Sequence, residues 1–199
     1  MGKRTNNNAE ANIISGKIPV GSFWTKGSVM ALIGAVLIMV IGSLIYSNIF
    51  SVPFLFDDTN TVLKNISLRE TGYFTNASPA ALLKAPRLIG QLSFALNYAV
   101  GGLNVFGYHL VNLLIHLASA LLVYGLCLLT FRTPYFTQCF PVSADWPPAV
   151  KIMALFAALL FVCHPIQTQA ITYIVQRYAA LCTFFYLFSL VLYLSLIHI

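Results

Sequence analysis

Long apolar runs alternate with short polar connections along this 199-residue chain, and the connections carry nearly all of the charge. No Asp, Glu, Lys or Arg occurs over Gly27–Phe56, Leu88–Phe131, Ile152–Gln176 or Tyr178–Ile199. Each run meets the ~20 residues that an apolar helix needs to cross hydrocarbon. The second is too long for one crossing and is broken by Gly101-Gly102-Leu103-Asn104-Val105-Phe106-Gly107. It divides into a surface helix over 88–100 and a span over 108–131. With further spans over 29–50, 150–163 and 178–199, the pattern predicts an all-α, polytopic membrane helix bundle of about four crossings. The third is short because Pro165 follows it; an enclosing neighbour or a re-entrant path would accommodate it.

The connections carry periodicities of their own. Residues 1–26, rich in Asn, Gly and Lys, read as a disordered tail, and 27–199 as one membrane domain. Ser78-Pro79 ahead of Ala80-Ala81-Leu82-Leu83-Lys84 predicts a helix start, with an N-cap and a proline at the first helical position. Leu88, Leu92, Leu96 and Val100 recur every four residues, as in a helix lying on a membrane surface. Ile166, Ala170, Ile171, Ile174 and Val175 form one face of a second surface helix over 166–175. In the second span, His109, Asn112, His116 and Ser119 fall within an arc of ~80°, so that stripe faces protein or a polar cavity. Positions seven apart are ~10 Å apart along the axis, too far to share one metal ion.

Composition strengthens the membrane assignment. The chain is 59% hydrophobic and 8% charged with a mean hydropathy of +0.82, against about 25% charge in soluble domains. The net charge of +6 does not indicate nucleic acid, because the basic residues are scattered. Lys3, Arg4, Lys17 and Lys26 precede the first span against the single acid Glu10, which keeps that tail cytoplasmic by the positive-inside rule. Lys64, Arg69, Lys84 and Arg87 then lie on the outer side, against the trend. The first apolar run is of spanning length and lacks a small-x-small cleavage site, so it reads as a signal anchor. Cys127, Cys139, Cys163 and Cys182 show no metal-like spacing and read as inert thiols.

Chemistry concentrates at the end of the first span. Asp57 and Asp58 stand side by side in Phe54-Leu55-Phe56-Asp57-Asp58-Thr59, two of only five acids in the chain. Acids at a membrane boundary are candidate bases or ion ligands; the plainer alternative is a solvated helix end. A transporter or channel would instead use the second-span stripe as a pathway and the acids as a cation-attracting mouth. Against that, no span carries an acid at mid-depth. A third possibility is a non-catalytic membrane anchor for a partner domain. Asn65-Ile66-Ser67 and Asn76-Ala77-Ser78 are glycan acceptor sequences that matter only in a eukaryotic lumen.

Several segments then read together. They are Phe56-Asp57-Asp58; Arg87 ahead of Gln91-Leu92-Ser93-Phe94-Ala95-Leu96-Asn97-Tyr98; and Gly107-Tyr108-His109-Leu110-Val111-Asn112-Leu113-Leu114-Ile115-His116. His164-Pro165-Ile166-Gln167-Thr168-Gln169 and Tyr173-Ile174-Val175-Gln176-Arg177 complete the set. This order resembles the N-terminal membrane half of the transmembrane and tetratricopeptide-repeat O-mannosyltransferases and their bacterial relatives, in the glycosyltransferase-C superfamily, over about residues 50–199. The resemblance implies a multi-pass enzyme that takes mannose or a similar hexose from a polyprenyl- or dolichyl-phosphate carrier to a protein or glycan hydroxyl. It implies an acidic pair in the first outer loop, in the bacterial inner membrane or the endoplasmic reticulum membrane. Relatives continue into more spans and then repeats, so the sequence reads as a fragment, inactive by itself. It departs from the pattern in two places. Leu88 follows Arg87 where relatives often have proline, and Gln169 stands where many have Glu, which leaves any third carboxylate in doubt.

Such a transfer needs a base for the acceptor hydroxyl and cations for the departing phosphate. Adjacent side chains diverge by ~100° on a helix, so Asp57 and Asp58 cannot share one proton equally. Asp58 is favoured as the base, with Asp57 orienting or binding an ion; the sequence alone does not separate them. Arg87 and Arg177 suit bidentate phosphate contacts, and His109 or His164 would add a donor. Headgroup snorkelling is the plainer role for Arg87, and helix termination for His164-Pro165. The residues specify no cofactor, and a divalent metal is compatible with the acids.

Overall fold

The computed structural model describes residues 26–69, 78, 86–139 and 147–197. Every regular element among them is helical. In chain order they are α1 (Lys26–Ile45), a 3-10 turn (Ser47–Ser51), a π turn (Thr59–Leu63), α2 (Ile66–Arg69), α3 (Leu88–Gly101) and α4 (Val105–Thr130). There follow α5 (Pro134–Cys139), α6 (Pro148–Cys163), α7 (Gln167–Thr172), a 3-10 turn (Ile174–Gln176) and α8 (Arg177–Ile197). The disordered tail and the helix expected after Ser78-Pro79 lie outside the described residues.

α4 is the central element and packs on α8, α6 and α1. Its start is set locally. Gly102 reverses the chain at φ +59, a conformation that a Cβ disfavours, and Asn104 then caps the helix by accepting from the Phe106 amide at 3.1 Å. Small residues let three helices meet: Ala120, Ala154 and Ala158 are fully buried. A Cβ on Gly42 would meet the Leu117 and Val162 side chains, so glycine there lets α1 approach α4 and α6 closely. Ile38, Leu117, Tyr124 and Val162 fill the core around them. A second core, of Val62, Leu68, Phe94, Tyr108 and Ile174, lies where the polar connections converge, and it supports the site.

Two helices, Val105–Thr130 and Ile174–Leu196, are long and apolar enough to cross a membrane; Val29–Ile45 and Pro148–Cys163 are shorter apolar helices. α1 and α8 expose large apolar side chains along their length, among them Leu32, Ile33, Val36, Tyr186, Leu192 and Leu196. On α3, Leu92, Leu96 and Val100 point outward while Gly90 and Phe94 are buried, so the four-residue stripe faces away from the protein.

Two boundaries differ from the periodicity. The first apolar run leaves α-helical geometry after Ile45, because Tyr46 takes φ −98° and ψ 16° where its hydroxyl donates to the Val162 carbonyl at 3.1 Å. The continuous helix expected over 166–175 breaks at Tyr173, whose ψ of 108° is extended. The Asn112 side-chain amide donates to the Ile171 and Ile174 carbonyls at 3.4 and 3.3 Å, so the break leaves neither carbonyl unpaired.

Candidate functional site

The two aspartates lie in different environments. Asp58 is fully buried and both of its carboxylate oxygens are engaged. Oδ2 accepts from the Leu55 amide at 3.0 Å, while the Asp58 amide donates back to the Leu55 carbonyl at 2.9 Å, closing a reciprocal loop. Oδ1 accepts from the Val175 amide at 2.7 Å and so ties the first connection to the turn before α8. Asp57 is exposed. Its amide donates to the Tyr173 phenol oxygen at 3.1 Å, and its carbonyl accepts from Thr61 at 2.8 Å inside the π turn. Phe56, just before it, sits at φ +44, a left-handed conformation that costs about 1–2 kcal/mol for a non-glycine residue. That strained turn is what allows neighbours in sequence to face opposite ways, one into the protein and one out of it.

Asp57 borders a cavity of about 1030 Å³ with two chemically distinct sides. Asp57, Asn60, Thr61, Arg87 and Gln176 make it polar at one side, while Leu88, Ile89, Leu181, Cys182 and Phe185 line it with apolar surface along α3 and α8. Arg87 precedes α3 at φ +57, exposed, with its guanidinium 5.1 Å from the centre of the Tyr178 ring. Tyr178 is in turn seated against Gly90, where a Cβ would lie 2.3 Å from the ring. Glycine at 90 therefore lets the ring form a platform under Arg87.

Arg177 does not reach the cavity. It is fully buried, and its guanidinium is consumed internally: Nε donates to Asn112 Oδ1 at 2.7 Å, Nη1 to Asn97 Oδ1 at 2.7 Å and the Ser93 carbonyl at 3.2 Å, and Nη2 to the Tyr108 carbonyl at 2.9 Å. The Phe94 ring lies 4.3 Å from the guanidinium carbon. Desolvating a guanidinium is costly, and these neutral oxygens and rings offset that cost. Arg177, expected from the sequence to contact phosphate, is here a hub joining α3, α4 and α8.

Neither histidine lines the cavity. His109 is fully buried at the start of α4 with Nε2 2.9 Å from the Val52 carbonyl, and its Nδ1 has no partner. His164 is exposed beyond α6, where its Nδ1 accepts from the Ile166 amide at 3.3 Å and closes the turn. The rest of the α4 stripe also works internally: Asn112 and Arg177 bond each other, His116 lies 3.5 Å from the Val162 carbonyl, and Ser119 donates to Ile115 of its own helix. Through Asn112 and His116 the stripe bonds groups on neighbouring elements and glues the bundle together. Gln169 is exposed and its carbonyl accepts from the Tyr173 amide. Among the described residues no three His, Cys, Asp or Glu side chains group to hold a metal.

Sequence reasoning missed Tyr173, Tyr178 and Gly90 as parts of the site. Tyr173 lies inside one of the quoted segments, but only the fold brings it against a residue 116 positions away. The Tyr173 phenol is held above its ordinary pKa, by partial burial first and by the Asp57 and Asp58 charges, so it stays protonated at neutral pH.

The chain as a whole is similar to known proteins. The chain is 34% identical to protein O-mannosyl-transferase tmtc2 of Xenopus laevis over 82% of its length and 19% of the relative's. It is 32% identical to protein O-mannosyl-transferase TMTC2 of Homo sapiens over 78% of its length and 18% of the relative's. Protein O-mannosyl-transferase Tmtc3 of Drosophila melanogaster is 39% identical over 47% of this chain and 10% of its own. The chain thus spans about a fifth of the length of the first two of these curated relatives. No family model and no solved structure matches it.

Proposed function

The chain belongs to the transmembrane and tetratricopeptide-repeat O-mannosyltransferase family, and on that premise we propose that it is the membrane-embedded, site-bearing part of a glycosyltransferase. The enzyme moves mannose or a similar hexose from a polyprenyl- or dolichyl-phosphate carrier to a hydroxyl of a protein or glycan acceptor. The observation that carries this is the two-sided cavity, with Asp57 and Arg87 at its polar side and an apolar flank along α8. A lipid-phosphate sugar has the same division, a charged head on a long hydrocarbon tail.

In the reaction, the acceptor oxygen bonds to sugar C1 as the C1–phosphate oxygen bond breaks. The bonding pair leaves on the phosphate, and the acceptor proton passes to the Asp57 carboxylate. Arg87, braced on Tyr178, neutralises the developing phosphate charge through its planar donor fork. The role of base falls to Asp57 rather than Asp58, because Asp57 borders the cavity whereas Asp58 is fully buried away from it with both oxygens held by backbone amides. Asp58 orients the loop instead. α1, α4, α6 and α8 cross the bilayer, with the cavity on the non-cytosolic face, the tail before α1 in the cytosol and α3 lying on the membrane surface.

The test is transfer of radiolabelled mannose from dolichyl-phosphate mannose to a serine- and threonine-containing acceptor peptide, using the full-length protein in membranes. Transfer dependent on both substrates supports the assignment. Absence of transfer from folded wild-type protein, across several hexosyl carriers, overturns it.

A further inference from the structure

Several contacts around the polar side of the cavity come from one six-residue stretch, Tyr173–Tyr178. Val175 holds Asp58, Arg177 fixes the stretch to α3 and α4, and Tyr178 supports Arg87. The remaining contact has a different character. The Tyr173 oxygen accepts from the Asp57 amide at 3.1 Å, which leaves the phenol hydrogen free to turn toward the neighbouring Asp57 side chain. Asp57 is exposed and its Phe56–Asp57 turn is strained, so without an external hold its carboxylate would sample several directions. The Tyr173 ring also meets Phe56 edge-on with centroids 6.3 Å apart, gripping the strained residue from the same side.

We propose that Tyr173 is a positioning residue for the transfer reaction, clamping the Phe56–Asp57 turn through its ring and oxygen and directing its phenol hydrogen to the Asp57 carboxylate. This rests on Asp57 being the base, but the clamp itself is a statement about geometry. The phenol, protonated at neutral pH, acts as a donor and takes no part in bond making or breaking. A hydrogen bond from the phenol fixes the rotamer of the carboxylate, so the base meets the acceptor hydroxyl already aligned with it.

Tyr173→Phe retains the ring against Phe56 and removes only the oxygen. In full-length protein supplied with dolichyl-phosphate mannose, the variant should lose about tenfold in kcat with donor KM unchanged. A second measurement is independent of activity: in protein with its native cysteines replaced and Asp57→Cys introduced, the pH of half-maximal maleimide labelling should rise by about half a unit to one unit when Tyr173→Phe is added, because the thiolate loses a hydrogen-bond donor. Unchanged labelling overturns the clamp whatever the base proves to be. A shifted labelling pH together with full activity of Asp57→Asn would leave the clamp standing and reject Asp57 as the base.

Discussion

Asp58 Oδ1 and the Val175 amide nitrogen lie 2.7 Å apart although 117 residues separate them in the chain. That bond, with the second Asp58 oxygen on Leu55, turns one member of the acidic pair into a clasp between two connections. The other member borders the cavity. Two identical side chains, adjacent in sequence, thereby acquire different chemistry from where their oxygens point.

Replacing the clasp should therefore act on stability. In Asp58→Asn one oxygen becomes an NH2 group facing a backbone N–H, losing one charge-assisted bond and adding a repulsion. The expected loss is roughly 1–3 kcal/mol, read as a lower melting temperature of the full-length protein in detergent. Asp57→Asn, which breaks neither backbone bond of Asp57, should melt like wild type.

Arg177 should prove intolerant of even a conservative exchange. A lysine has no planar fork and cannot meet Asn112, Asn97 and the Tyr108 carbonyl together. Arg177→Lys is expected to cost at least about 3 kcal/mol, seen as rapid protease cleavage between α7 and α8. Wild-type protease resistance in that variant would contradict the hub assignment.

Gly90 tests the platform under Arg87. In Gly90→Ala the new methyl would meet the Tyr178 ring at 2.3 Å and displace it, an overpacking worth about 1–3 kcal/mol. Arg87 loses its support, so the KM for dolichyl-phosphate mannose should rise several-fold, as in Arg87→Gln, while the pH profile is retained.

Orientation is checked by labelling. Phe56 is 84% exposed, so Phe56→Cys in a background free of other cysteines should react with an impermeant maleimide from the non-cytosolic side. Lys26→Cys should react only from the cytosolic side. The reverse pattern would place the cavity on the wrong face for the proposed acceptor.

Much of this architecture is legible from periodicity, since apolar runs and their glycine and proline breaks are local signals. Helices occur where the spans were expected, α3 begins at Leu88 as predicted, and the outward stripe from Leu92 to Val100 follows its four-residue spacing. The α4 stripe faces protein, as its narrow arc requires. Long-range pairing is not legible in this way. The Asp58 bond to Val175, the burial of Arg177 and the extended Tyr173 each depend on which distant carbonyl or amide arrives beside them. A charged residue at a span boundary reads the same from sequence whether it meets phosphate, as proposed for Arg87, or three helices, as Arg177 does. Asp57 and Asp58 likewise read alike, because nothing local distinguishes one from the other.

The most direct measurement compares Asp57→Asn and Asp58→Asn in the mannose-transfer assay at equal folded concentration. The geometry predicts that Asp57→Asn loses about 10²–10⁴-fold in kcat with normal thermal stability, while Asp58→Asn, once corrected for its folded fraction, retains measurable transfer. Wild-type turnover by Asp57→Asn, with abolished turnover by well-folded Asp58→Asn, would contradict it.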